Sequence, residues 1–134
     1  MPLNAPRDTI ERGRDLLVLR VAAGAKIHAG ALVALNAAGF AVPGALSATL
    51  KAAGRAEASI DNTGGADGAV SVTVKRGAFR FSNHGADAVD QSSILDDCYI
   101  VDDATVAKTH AADTRSRAGK VLDVDVTGVW VEIV

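Results

Sequence analysis

The sequence predicts a mainly β protein: a compact β-barrel or sandwich-like single domain, with an extended N-terminal arm and at most one short helix. Three observations carry this. In "AVSVTVK" (residues 69–75), Val70, Val72 and Val74 alternate with Ser71, Thr73 and Lys75, the two-residue period of a strand with one buried face. Near the C-terminus, Leu122, Val124 and Val126 alternate in the same way with Asp123, Asp125 and Thr127. Between such runs Gly, Asn, Asp and Pro recur at short intervals, which is the punctuation of turns.

Residues 1–15 read as the arm. Pro2, Pro6, Arg7, Arg12 and Arg14 are interleaved with Asp8, Glu11 and Asp15, without apolar periodicity, and Gly13 interrupts any helix. Such a segment has little to hold it to a core. The β domain spans 16–134. "LLVLRVAAG" opens it and stops at Gly24. "ALVAL", "NAAG" and "FAV" form a hairpin-like unit with a glycine in its loop. "ALSATLKAAG" has Leu46 and Leu50 at helical spacing, but ten residues are marginal as an isolated helix, so a strand or irregular segment is expected. After the turn cluster "NTGGADGA" and the valine strand, the apolar set shifts to Phe79 and Phe81. A one-residue slip reverses the faces of a strand, so a turn or bulge is expected near Arg76-Gly77. "ADAVDQSSIL" is the one place for a short helix. In the last strand, Val129, Val131 and Ile133 form one face, with Trp130, Glu132 and Val134 on the other. A strand apolar on most of both faces must be central, barrel-closing or covered by another subunit. The expected core is Val70, Val72, Val74, Phe79, Phe81, Tyr99, Val101, Val124, Val126, Val129 and Val131.

Bulk properties exclude several classes. With 134 residues, one domain can bury a core without staples. Hydrophobic residues make up 49% but aromatics only 4%, so the core is built largely from alanine and valine. A net charge of −2 without a basic block argues against a nucleic-acid partner. The single Cys98 rules out an intrachain disulfide and any multi-cysteine metal site. "MPLNAPRDTIERGRD" lacks the apolar stretch of a signal peptide, and no run approaches the ~20 apolar residues of a membrane helix. A soluble chain made in the cytoplasm is expected, with no membrane partner.

No catalytic constellation stands out. "DDCYIVDDATVAKT" carries Asp96, Asp97, Asp102 and Asp103. A calcium loop needs a glycine bend and a closing glutamate, and neither is present. Adjacent aspartates on a strand point to opposite faces, so these pairs are expected to mark the ends of a buried strand "CYIV", with Asp102 or Asp103 bonding a turn N–H. His28, His84 and His110 have no partners at ligand spacing. Cys98 lies within an apolar strand and behaves as a small hydrophobe. "NTGGADGA" lacks the Lys-Ser/Thr ending of a phosphate loop. Arg115, Arg117 and Lys120 are expected in an exposed loop, solvated or against an acidic surface. No catalytic residue, metal or cofactor is expected.

Four phrases, "AGAKIHAGALVALNAAGFAVPG", "NTGGADGAVSVTVKRGAFRFSN", "CYIVDDATVAKT" and "SRAGKVLDVDVTGVWVEIV", together resemble a family of capsid decoration (cement) proteins of Mu-like tailed phages and prophages. The resemblance runs from about Pro6 to the C-terminus, and "RAGKV…GVWVEI" and "IHAGALVAL" are its most characteristic parts. It implies a β-barrel-like virion protein that binds the outer surface of the head as a symmetric oligomer, with the major capsid protein as partner. On that reading Pro6, Arg7, Arg12 and Arg14 contact the shell. Trp130, Glu132 and Val134 form the oligomer interface, and a trimer is favoured over a dimer. A tail or baseplate β-module and a small ligand-binding β-barrel are the rival readings.

Overall fold

The computed structural model describes residues Met1–Val134. Twelve strands follow one another along the chain: β1 (Leu16–Arg20), β2 (Lys26–Ile27), β3 (Leu32–Leu35), β4 (Ala41–Pro43), β5 (Lys51–Ala56), β6 (Ile60–Asp61), β7 (Ser71–Lys75), β8 (Gly77–Asn83), β9 (Asp97–Ile100), β10 (Thr105–Ala107), β11 (Arg117–Asp125) and β12 (Gly128–Ile133). Helical structure is confined to two single 3-10 turns, Gly85–Asp87 and Gln91–Ser93, both inside "ADAVDQSSIL" and its flank. The protein is mainly β, as its alternating valines require.

The strands form two units. The first is a five-stranded sheet in the order β1-β7-β5-β3-β4, with the β2-β6 pair beside it. An isolated bridge between Val21 and Ala41 joins the far end of β1 to β4. The second is a closed five-stranded barrel, β10-β8-β12-β11-β9, in which only β10 and β8 run parallel. The chain passes from sheet to barrel at Arg76, so the parity change between the valines and the phenylalanines marks a change of sheet and not a local bulge.

Each unit has its own core, and β3 serves both. Leu32 and Ala34 point into the barrel core with Phe79, Phe81, Ile100, Val106, Val121, Val129 and Val131. Val33, on the opposite face, packs with Val21, Ile27, Val72 and Val74. A strand buried on both faces reads as a continuous apolar run, which is what "ALVAL" is. The neighbouring β5 carries Ala52, Ala53 and Gly54, and the register with β3 slips there, leaving Ala53 as the extra residue. A Cβ on Gly54 would sit 2.2 Å from the Lys75 carbonyl oxygen, at a φ of +154°. Alanine and glycine are abundant because this shared wall brings backbones close together.

The expected core is correct at Val72, Val74, Phe79, Phe81, Val129 and Val131, all buried. It fails on β9 and β11. Cys98 and Ile100 point inward, so Tyr99 and Val101 are only half-buried. On β11 the register shifts at Ala118 and again at Leu122. These bulges place Ala118, Gly119 and Val121 inside, leave Leu122 at the surface and return Val124 partly to the core. Bulges of this kind let a small barrel curve shut. Val126 is not core: it lies with Thr127 in the two-residue turn between β11 and β12 and is fully exposed. Val70, just before β7, is half-buried against the sheet core.

One buried polar residue organises the sheet unit. Asn62 donates from Nδ2 to the carbonyls of Ala22 (2.9 Å) and Ala66 (3.0 Å). Its own carbonyl accepts from Gly24 (3.1 Å) and Gly65 (2.9 Å), and its N–H donates to Ala25 (2.9 Å). The turn cluster "NTGGADGA" is thus pinned to the end of β1 by a side chain 3% exposed.

Candidate interaction surfaces

The arm precedes the first strand, and every one of its residues is exposed. Its internal backbone bonding is one contact, Thr9 N–H to the Arg7 carbonyl at 3.1 Å. Pro6, Arg7 and Arg12 lie along this exposed stretch. Arg14 is placed differently. At the bend leading into β1 it lines a cleft of about 420 Å³ with Asp15, Arg76 and Val134. The Asp15 carbonyl accepts from the Arg76 N–H at 2.7 Å, which ties the arm's base to the crossover between the two units. The Arg76 Nε is buried without a hydrogen-bond partner. Two guanidinium groups at one cleft suit a carboxylate, since Arg pairs with carboxylates through two parallel N–H donors. The structure thus brings Arg14 and Val134 together, although the sequence assigns them to different surfaces, and it adds Arg76. A lone arginine beside a glycine gave no sequence signal for that role.

Trp130 and Glu132 share the outer face of β12, between β8 and β11. Trp130 is 38% exposed, Glu132 is half-buried and Val134, past the strand's end, is exposed. In register, Trp130 stands opposite Asp123 on β11 and Arg80 on β8, and Glu132 stands opposite Lys120. The exposed Leu122 lies at the adjacent bulge. This is an apolar centre with a charged rim, the composition of a protein–protein contact. Both edges of β12 are paired within its own barrel, by β8 and β11, which leaves its outer face free.

The four aspartates of the "DDCYIVDD" stretch do four different things. The Asp96 carbonyl accepts from Val121 N–H (2.9 Å), and the Asp97 carboxylate pairs with Arg117 Nε (2.7 Å). The Asp102 carboxylate accepts from Ala104 N–H (2.8 Å), closing the turn into β10, and the Asp103 carbonyl accepts from Leu32 N–H (2.8 Å). No group of three or more His, Cys, Asp or Glu side chains converges as a metal site would require.

A tighter carboxylate lies where the residue pattern holds no cue. Asp87 Oδ2 accepts from the Thr109 hydroxyl, the Thr109 N–H (3.1 Å) and Arg115 NH1 (2.8 Å). The Thr109 hydroxyl foremost, then its N–H and the Arg115 guanidinium, hold the Asp87 carboxyl below its ordinary range. Asp90 accepts from the Ser92 hydroxyl and from Lys108 Nζ (3.0 Å), and these bonds lower its pKa to about 2. Arg115 is therefore committed and not part of an exposed loop, and Arg117 and Lys120 belong to β11. His110 Nδ1 accepts from Asp113 N–H (2.9 Å), and its ring meets Tyr99 edge-on at 5.7 Å. Cys98 donates weakly to the Gly119 carbonyl (3.6 Å), and burial pushes its thiol up to about 12. A thiol that stays protonated at neutral pH is no nucleophile.

These charged side chains hold loops to the barrel, and the surfaces they leave free are the arm, its basal cleft and the Trp130 face. No family model, no curated protein and no solved structure matches the chain.

Proposed function

We propose that the protein is a virion structural protein that binds the outer surface of a phage head and stabilises the capsid, with the major capsid protein as its partner. It is made in the host cytoplasm and acts without catalysis or cofactor. The observation that carries this reading is the arm: fifteen consecutive exposed residues, with Met1, Leu3 and Ile10 offering apolar contact and Arg7 and Arg12 offering charge. Ordering such a chain costs roughly 1–2 kcal/mol per residue in backbone entropy, so it serves where a neighbouring surface supplies many contacts at once. Pro6 restricts the chain toward an extended course. Arg14 reaches the cleft beside Arg76, where a shell carboxylate would meet two guanidinium groups.

Self-association follows from Trp130, Glu132 and Val134. Aromatic side chains with a charged rim are typical interface anchors, closed symmetry is the rule for homo-oligomers, and a trimer is favoured over a dimer. The barrel interior counts against a ligand-binding role. Ile100, Val106, Val121, Val129 and Val131 fill it without exposure, and five strands enclose less space than the eight or so of ligand-holding barrels.

The test is decoration. Purified protein is mixed with undecorated heads of a Mu-like tailed phage and, separately, with tails. Saturable co-sedimentation with heads alone is expected, and removing residues 1–14 weakens it while leaving the far-ultraviolet circular dichroism unchanged. Binding to tails alone, or to neither particle, overturns the reading.

A further inference from the structure

The loop between β10 and β11 runs, at its middle, against the natural hand of the chain. Ala111, Ala112 and Asp113 have φ of +49°, +56° and +64°. Three consecutive left-handed residues are unusual, because L residues other than glycine, and occasionally asparagine or aspartate, avoid that region. Together they make one left-handed turn after His110. The His110 carbonyl accepts from the N–H of Thr114 (2.9 Å) and of Arg115 (3.1 Å), and the Thr114 hydroxyl donates to the Ala111 carbonyl (2.8 Å). A further bond of the turn is made by a titratable group. His110 Nδ1 accepts from Asp113 N–H at 2.9 Å, so the turn needs that nitrogen unprotonated. Of the three histidines, His110 alone bonds through its ring. Backbone strain of this kind persists only where the surroundings hold it, and it clusters in switch segments.

We infer that His110 makes this turn a pH-sensitive switch: a proton on Nδ1 releases the 111–113 backbone, and its loss restores the left-handed turn. Protonation converts Nδ1 from acceptor to donor. It then meets the Asp113 N–H with a hydrogen of its own, and that bond is lost. The Asp113 carboxylate, whose Oδ1 lies 3.4 Å from Nδ1, accepts from the imidazolium instead. His110 thus exchanges a main-chain partner for a side-chain partner on the same residue. An exposed ion pair is weak, and this one places no demand on the φ of Ala111 and Ala112, so their strain is no longer fully opposed. The other charges around the loop are already paired: Arg115 with Asp87, Lys108 with Asp90 and Arg117 with Asp97. Tyr99 meets the imidazole edge-on, with ring centres 5.7 Å apart. Asp87 also bounds the movement. It holds the N–H and hydroxyl of Thr109 before the turn and the guanidinium of Arg115 after it, so the rearrangement is confined to residues 110–114. Imidazoles exchange their proton between about pH 5 and 8. The Asp113 N–H bond is present above that titration and lost as pH falls through it. The switch is separate from head binding and from self-association.

The experiment is nitrogen-15 NMR of the full chain, titrated from about pH 8 to about pH 5, with amide exchange corrected for its intrinsic pH dependence. The Asp113 amide resonance is expected to move in step with the His110 imidazole, and its protection to fall at least tenfold. Val121 and Val131, in the barrel, are expected to keep theirs. His110→Asn sets an amide oxygen in place of Nδ1, an acceptor that does not titrate, and should keep Asp113 protected at both ends of the range. Asp113→Asn retains the main-chain donor and suits a positive φ, but removes the carboxylate that receives the imidazolium, so the transition should move to lower pH. The inference is overturned if Asp113 protection ignores the His110 titration. It is equally overturned if His110→Asn responds to pH as wild type does, which would assign the change to another group such as Asp87. Loss of Val121 and Val131 protection together with that of Asp113 would make the event general unfolding, and would overturn it too.

Discussion

Gly119→Ala tests how tightly the barrel closes. Gly119 sits in β11, and a Cβ there would lie 2.3 Å from the Glu132 carbonyl oxygen and 2.9 Å from Val131 Cγ1. The obstacle is the main chain of β12, which is itself held by β8 on its other side, so neither partner can simply rotate away. Forcing an extra carbon into a packed core costs about 1–3 kcal/mol. Here the Lys120–Glu132 pairing beside it is strained too, and one hydrogen bond is worth about 1 kcal/mol. Replacing glycine also restricts the unfolded chain, which returns about 0.4–1 kcal/mol. The clash wins, leaving about 1–4 kcal/mol of destabilisation. Unfolding entropy of about 2.1 cal/mol/K per residue amounts to about 0.28 kcal/mol/K for 134 residues. The expected drop in Tm is therefore about 4–13 °C by differential scanning calorimetry. Gly85→Ala is the matched control, because a Cβ there meets nothing within 4 Å, and its Tm should hold or rise slightly. Equal melting of Gly119→Ala and wild type would refute a barrel with these strand separations.

Trp130→Ala should weaken self-association by about 2–4 kcal/mol, the range of interface hot spots, while leaving the circular dichroism unchanged; a wild type that stays monomeric at high concentration in sedimentation would count against it. Asn62→Ala strips donors from the Ala22 and Ala66 carbonyls and should cost about 1–3 kcal/mol in urea unfolding, so a near-neutral result would mean that Asn62 does not pin the turn. Cys98 should resist thiol reagents in the native protein and react at once in denaturant, since burial raises its pKa to about 12; rapid native labelling is the contrary outcome. Asp87 has a folded pKa below its ordinary 3.8, so its bonds stabilise the fold above that pH and are lost as pH falls through the lowered value. Wild type should accordingly exceed Asp87→Asn in urea midpoint at neutral pH, with the gap closing well below pH 3.8, and a gap that ignores pH would remove the ionised carboxylate from the account.

The sequence by itself determined the fold class, because alternation with period two admits one regular structure, and "AVSVTVK" and "GVWVEI" display it without ambiguity. It also determined which face of β12 is buried, since Val129, Val131 and Ile133 share one parity. A turn bond from Asp102 or Asp103 was legible as well, because aspartate beside a short strand caps a turn, and the structure assigns it to Asp102. Tertiary structure alone decided the rest. Whether Tyr99 or Cys98 points inward depends on which side of β9 the barrel lies, and four residues of mixed apolarity carry no preference. The bulges at Ala118 and Leu122 arise from barrel closure, a long-range constraint with no local residue pattern, and they turned Leu122 outward, while Val126 is exposed because it falls in the turn. Asp87 and Arg115 are 28 residues apart, and Arg14 meets Arg76 and Val134 only because the crossover and the chain end converge on the base of the arm. Side-chain chemistry is written residue by residue, but which groups meet is set by strand order, and strand order is fixed by the packing of two cores against one shared wall.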